Sequence, residues 1–380
     1  MIKIIHTGDI HLGAKFSSFG KKASQQRQAL LNSFKKIVDE TILRKANILL
    51  IAGDLFDSNF PSYDTVNLIK SELKKLDELN IFVAISPGTH DCLSADSIYK
   101  REDFSAGLSH IYVFNNENVK FKFFPELDLV LYAQANTANK SKKSPIKFLQ
   151  SETKNDAKYK IAMAHGSVQI EGKSAEDDWP ITLGDISKSG MQYIALGHWH
   201  GAQDFSFGQT KAWYCGSPEI TYKEGKGGIG QGYAMEVNIT NNVEVKPFKV
   251  SSKEVEEFDL DVSLFDGMDS IYKEIDKKSN ENIILILNIS GMMNPNLFLD
   301  REKIEDDFRD KFFFIKVKNN SSLRIENITE SEYPEDMVIG QFVRLMKEKI
   351  NTAQNEDDKK IFNEALQLGV AELEGKEVLI

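Results

Sequence analysis

The stretch Ile194-Ala195-Leu196-Gly197-His198-Trp199-His200 decides how the chain is read. An apolar run ends in glycine, and two imidazoles follow at i and i+2. Alternate residues of an extended segment point to the same side, so both histidines can face one site at the mouth of a sheet. Neutral imidazole is a common ligand of zinc, manganese and iron. Four other segments end the same way. Ile2–Ile5 leads to Gly8-Asp9-Ile10-His11, and Asn47–Ala52 to Gly53-Asp54-Leu55-Phe56-Asp57. Ile81–Ile85 leads to Pro87-Gly88-Thr89-His90-Asp91, and Lys160–Ala164 to His165-Gly166. Of the 7 histidines in the chain, five fall directly after these runs. His6 and His110 stand apart and read as structural.

Between the runs the pattern is helical. Leu30, Phe34, Ile37, Val38 and Ile42 recur at helical spacing within 24–45, and a second helix is predicted over 63–79. Strand, loop and helix in repetition is the grammar of an α/β layered fold. Strands over 110–114, 119–123 and 128–134 follow closely on one another, as in a mixed or antiparallel sheet. Thr137–Lys147 reads as a lysine-rich loop and Glu171–Asp178 as an exposed acidic loop. A glycine-rich loop at 225–232 precedes a strand over 233–239. Past about residue 250 the composition shifts to a small α+β module, with helices over 262–277 and 299–311 and strands over 282–289 and 312–318. From Pro334 the chain is helical. Ile339, Phe342, Met346 and Ile350 form one apolar face, and Phe362, Leu366, Val370 and Leu373 another. Both need burial on the chain itself or on a partner.

With 380 residues, more than one domain is expected; 41% hydrophobic and 27% charged residues are the proportions of a soluble globular protein. No apolar run approaches the roughly 20 residues of a membrane span. The opening Met1–His6 reads as a strand rather than a signal peptide. Cys92 and Cys215 form no disulfide framework, which suits a reducing cytoplasm. The net charge of -10 argues against a simple electrostatic DNA clamp, so any nucleic-acid role must lean on metal ions, a local basic face or a partner.

The strand-end residues Asp9, His11, Asp54, Asp57, His90, Asp91, His165, His198 and His200 suit two divalent ions about 4 Å apart, the arrangement that orients water and neutralises charge in phosphoester hydrolysis. Asp54 is placed to bridge both ions. These segments, in this order, resemble the five signatures of calcineurin-like metallophosphoesterases over residues 1 to about 240. Within that superfamily, His6-Thr7-Gly8-Asp9-Ile10-His11-Leu12-Gly13 resembles the SbcD-type DNA double-strand-break-repair nucleases. The tail, with Ile339-Gly340-Gln341-Phe342-Val343 and Ala365-Leu366-Gln367-Leu368-Gly369, resembles the bacterial YhaO-like exonuclease branch.

The resemblance implies a four-layer α/β/β/α nuclease domain over 1–250, a small α+β capping, DNA-recognition domain over 251–328 and a helical segment over 329–380. It implies that residues 334–380 dock an SbcC-type SMC-like ATPase, and that helices near the first two motifs form a homodimer face. By motif position, one manganese ion takes Asp9, His11, Asp54 and His200, and the other takes Asp54, His165 and His198. His90, with Asp91, is the implied catalytic pair: the imidazole orients the scissile phosphate or protonates the leaving oxygen, and Asp91 and Asp57 hold imidazole and loop in place. Ser217, in the loop after His200, is a candidate substrate contact. One departure matters. Where the family has an asparagine whose amide oxygen meets the second ion, this chain has Thr89. A shorter hydroxyl is a weaker neutral donor, and the expectation is a weakened second-metal site. Two alternatives stay open, a small-molecule phosphodiesterase and a catalytically weakened DNA-end adaptor for the ATPase.

Overall fold

The computed structural model describes residues 1–152, 156–172, 174–221, 230–293, 299–323, 328, 333–334 and 336–375. Residues 225–229 of the glycine-rich loop, and 335 and 376–380 of the tail, lie outside them. The chain divides into two compact units, Met1–Glu254 and Val255–Ile380.

The first unit is built on two six-stranded sheets. One runs β12 (Val243–Lys249), β11 (Tyr233–Ile239), β1 (Ile2–Thr7), β2 (Ile48–Ala52), β3 (Phe82–Ser86) and β4 (Ile111–Val113). The other runs β5 (Phe121–Phe124), β6 (Leu129–Ala133), β7 (Tyr159–His165), β8 (Tyr193–Gly197), β10 (Lys211–Tyr214) and β9 (Gln203–Asp204). The strands that carry the histidine motifs are central and parallel, and every residue of β2, β3 and β8 is buried. Burial on both faces explains why they read as continuous apolar runs rather than alternating ones.

Between the sheets, Ile4, Leu50 and Ala84 of the first meet Leu131, Ile161, Met163 and Ala195 of the second in one core. The opposite face of the second sheet buries Tyr132, Ala162, Ile194 and Leu196 beneath Ile146, Leu149, Ile181 and Ile186. Ile5, Leu49, Ile51 and Val83 alternate out of the inter-sheet core. The buried stripes of α1 (Ala23–Leu43) and α2 (Tyr63–Glu78) cover that side, with Leu30, Phe34, Ile37 and Val38 on one helix and Val66, Ile69, Leu73 and Leu76 on the other. The result is the α/β/β/α sandwich. His6, buried in β1, reaches across to the Tyr193 hydroxyl at 2.8 Å, and burial pushes its pKa down to about 3. His110 pairs with Asp77 at 2.9 Å.

In the second unit, β13 (Glu254–Asp261), β14 (Asn280–Ser290) and β15 (Phe312–Asn319) form a three-stranded sheet, with α3 (Met268–Asp276) and α4 (Arg301–Asp307). Ile271, Ile275 and Ile304 pack with Leu285, Leu287, Phe312 and Val317. The helix expected over 262–277 is broken: a short 3-10 turn covers Val262–Leu264, and Gly267 caps the helix that follows. A hairpin of α5 (Val338–Thr352) and α6 (Glu356–Leu373) has its own core of Ile339, Val343, Met346, Leu366 and Val370, joined by Phe342, Ile350 and Phe362. The two apolar faces read from sequence therefore pack on each other, except that Leu373 is 46% exposed. Among the described residues no helix is long and apolar enough to cross a membrane.

Truncating Leu131, which is fully buried between the sheets, to alanine is expected to cost about 2–5 kcal/mol of unfolding free energy in a denaturant titration. The same change at exposed Phe121 should stay within about 0.5 kcal/mol. Equal effects at the two sites would contradict this placement of the core.

Candidate metal centre

Register brings the motifs to one level. Thr7 of β1 lies opposite Ile51 of β2, and His165 of β7 opposite Gly197 of β8. Just past the strands the backbone turns left-handed at four motif residues: Asp9 (φ 49°), His11 (φ 53°), Asp54 (φ 49°) and His198 (φ 109°). Such conformations are costly for residues other than glycine and persist only when neighbours hold them. Here the first two loops hold each other. Asp9 N–H donates to the Gly53 carbonyl at 3.1 Å, and the N–H groups of Ile10 and His11 both donate to the Asp54 carbonyl, at 2.8 and 3.0 Å. Two glycines make room for the ligands. A Cβ on Gly53 (φ +88°) would stand 2.2 Å from His165 Nδ1, and one on Gly88 2.3 Å from Asp54 Oδ1.

Three sets of donor atoms each converge within 4.8 Å: Asp9, His11 and His200; Asp9, Asp54 and His165; and His11, Asp57 and His90. At the centre, buried Asp54 accepts the His90 backbone N–H on Oδ1 at 2.8 Å. Its Oδ2 lies 3.2 Å from His165 Nε2, 3.3 Å from the Thr89 hydroxyl and 3.7 Å from His11 Nε2. Burial alone would raise the Asp54 pKa, but the charge and hydrogen bond of His165, with His11 and His90, hold it well below the usual carboxylate range. His165 shows the reciprocal effect. Burial favours its neutral form, yet Asp54 and Asp9 raise its pKa to about 10. Asp9 is raised, chiefly by burial, and both its oxygens accept the His198 backbone N–H at 2.9 Å.

The donor set fits divalent ions. Buried carboxylates beside imidazoles suit manganese, iron or zinc. His11 Nε2 and His200 Nε2 approach to 3.1 Å, so two ring nitrogens point at one spot. His165 Nδ1 donates to the Ala52 carbonyl at 2.9 Å, which leaves Nε2 as the nitrogen facing Asp54. His198 joins none of the three sets. Its ring stands edge-on to His165, with centroids 5.1 Å apart, and its Nε2 meets Asp178 Oδ2 at 2.8 Å. A carboxylate can only accept, so His198 Nε2 carries the proton of this bond. The hydrogen bond to His198 lowers the Asp178 pKa and keeps it ionised. Asp9 thus belongs to two of the sets, Asp54 Oδ2 faces both His165 and His11, and His198 approaches by its backbone N–H and ring edge.

Asp91 holds loops in place. Fully buried, it accepts from Gly88 N–H at 2.7 Å, Phe56 N–H at 3.1 Å and the Tyr99 hydroxyl at 2.6 Å, clamping the third motif loop to the second. Burial and the charge of Asp54 raise its pKa. The residue that does hold imidazoles is Asp57. Its carbonyl accepts His90 Nδ1–H at 3.1 Å, and its Oδ1 lies 3.3 Å from His11 Nδ1, an ionic approach without the alignment of a hydrogen bond. Ser217 is fully buried and lines no part of the open cavity, so the described structure does not present it to substrate. That cavity, about 310 Å³, is bounded by His11, Asp57, His90, His200, Thr221 and the segment Ala14–Ser18. Asp178, Thr221 and Ala14–Ser18 escape the sequence reading. Asp178 is hidden in an acidic loop whose charges look solvated, and the others carry no motif.

Because the metal-free His165 is protonated up to about pH 10, a divalent ion at that nitrogen must displace a proton at neutral pH. Calorimetric titration of the metal-free chain with manganese in buffers of different ionisation enthalpy should show proton release and an affinity that rises with pH; proton-neutral binding would contradict it. In the metal-free chain the same shift stabilises the fold fully below pH 6.5, and that contribution is lost as pH rises through about 10.

Among solved structures, the chain is similar to TT1561 of Thermus thermophilus, with 11% identity and a TM-score of 0.43 over 66% of this chain and 99% of that one. A second crystal structure is similar with 12% identity and a TM-score of 0.41, again over 66% of this chain and 99% of that one. The model of the calcineurin-like phosphoesterase family matches residues 2–202, a span that contains the strand-end aspartates and histidines of the site. That span is more than half of the chain, and the protein belongs to the calcineurin-like phosphoesterase family.

Proposed function

We propose that the chain is a manganese-dependent DNA nuclease of the SbcD type, acting on DNA ends or single strands together with an SMC-like ATPase. Metal-dependent phosphoester hydrolysis is the chemistry of the family. Bound divalent ions supply a nucleophilic water at neutral pH and neutralise charge on the phosphate. Asp9, His11, Asp54, His165 and His200 would hold them, with His198 beside.

The observation that carries the reading is the placement of His90. Its Nδ1–H is spent on the Asp57 carbonyl, since a carbonyl only accepts, and its ring stands at right angles to His11, with centroids 4.6 Å apart, on the open cavity. A proton carried on Nε2 is then available to a leaving alkoxide, the need of a phosphodiester whose leaving group is a sugar oxygen. The choice of DNA rests on the motif resemblance and on the second unit, which a minimal phosphatase does not require. With a net charge of -10, DNA engagement would depend on the ions and the partner. The hairpin leaves an outward row, Val338 and Leu345 on α5 and Ile361 and Leu368 on α6, exposed by 39–73%. That row supports its assignment as the ATPase-docking surface.

Thr89 favours a second reading, a weakened enzyme that mainly holds DNA ends for its partner. Its hydroxyl lies 3.3 Å from Asp54 Oδ2 and 3.4 Å from His165 Nε2, at the motif position where the resemblance implies an amide. A hydroxyl donates to the very oxygen that an ion needs, which an amide oxygen does not.

The test compares manganese-dependent cleavage of linear DNA with that of bis(p-nitrophenyl) phosphate as kcat/KM. The nuclease reading expects preference for DNA and a loss of at least about 100-fold in His90→Ala. Cleavage by Thr89→Asn alone would select the adaptor reading, and preference for the small ester would sink both. Removing 334–380 should leave the chemistry intact and abolish co-purification with the ATPase; an inactive, insoluble truncation would contradict the docking role.

A further inference from the structure

We infer that Thr221 and Gln231 are positioning residues that lock His200 in the tautomer whose Nε2 lone pair is open to a divalent ion. Donor and acceptor roles along the three side chains favour one assignment, in which the hydroxyl proton goes to the amide oxygen and not to the ring. The Thr221 backbone N–H, which can only donate, meets Gln231 Oε1 at 2.6 Å. That contact fixes which way the Gln231 amide faces, because the flipped amide would set two donors against each other. The Thr221 hydroxyl lies 3.2 Å from the same oxygen and donates its one proton there. Its lone pairs are left for His200 Nδ1, 2.8 Å away, so that ring nitrogen carries the proton. Nε2, on the far side of the ring, is then bare and faces His11 Nε2 at 3.1 Å.

The relay is anchored at both ends. Ser217 N–H donates to the His200 carbonyl at 2.8 Å, and Gly232 N–H donates to the Ser217 carbonyl at 2.8 Å, which fixes the chain beside Gln231. Buried Glu219, two residues before Thr221, accepts from Gln26, Ser33 and Ser251 and ties this loop to α1. Were the Gln231 oxygen removed, the Thr221 hydroxyl would be free to turn and donate to Nδ1. The His200 proton would then move to Nε2 and occupy the ligand position. The relay governs how the metal is held, and it stands whether the substrate is DNA or a small ester.

The first test needs no variant. Nitrogen NMR of the full chain labelled with ¹⁵N-histidine, metal-free and at mildly alkaline pH, should show His200 protonated on Nδ1 and bare at Nε2. The opposite tautomer overturns the proposal. The second titrates manganese by loss of the free-ion EPR signal. Thr221→Val and Gln231→Leu should weaken one ion by about 10–100-fold, while Thr221→Ser, which keeps the hydroxyl, binds as the native chain does. Native affinity in Thr221→Val, or an equal loss in Thr221→Ser, would contradict the relay.

Discussion

The carboxylate of Asp54 is the constraint around which the first unit is arranged. It is 1% exposed, and an unpaired charge at that depth would cost several kcal/mol. Pairing comes from His165, His11 and Thr89 on one oxygen and from the His90 backbone N–H on the other. Those partners arrive from three strand ends, β1, β3 and β7, around a carboxylate that follows β2. Compensation of one buried charge therefore requires β1, β2, β3 and β7 to finish at the same level, which parallel register across the two sheets provides.

Placing so many donors in a small volume carries a backbone cost. Asp9, His11, Asp54 and His198 all sit at positive φ, at roughly 1–3 kcal/mol each. Hydrogen bonds between the first two motif loops and the Asp91 clamp between the second and third hold these conformations in place. Strain at the site is thus offset by hydrogen bonds and by the fully buried strands behind it, which is how a rigid sheet can present ligands that a free loop could not.

The motifs are legible because each is a local pattern: an apolar run closed within a few residues by a glycine and by one or two acids or imidazoles. The fold class follows from the same runs: without alternation their periodicity is ambiguous, and the five-residue length of β2, β3 and β8 between turn residues marks these as strands buried on both faces. What stayed hidden depends on distant partners. Asp178 reaches His198 across 20 residues from a stretch that looks like solvated acid. Thr221 and Gln231, ten residues apart, gain meaning only through hydrogen-bond direction. Asp91 adjoins His90 in sequence, yet its three donors, two of them backbone, come from Gly88, Phe56 and Tyr99 and turn its carboxylate into the interior. In the hairpin, helical spacing found the faces that meet each other; the exposed row of Val338, Leu345, Ile361 and Leu368 emerged only once those faces were paired.

The most direct test of the account counts manganese ions on the native chain and on Asp54→Asn, with free ion followed by EPR across a titration. If Asp54 is the shared centre, the native chain takes up two ions and the amide variant loses tight binding of both while remaining folded by circular dichroism. Retention of one ion at native affinity in Asp54→Asn would show that the two sets of ligands are independent, and the central role given to Asp54 would fall.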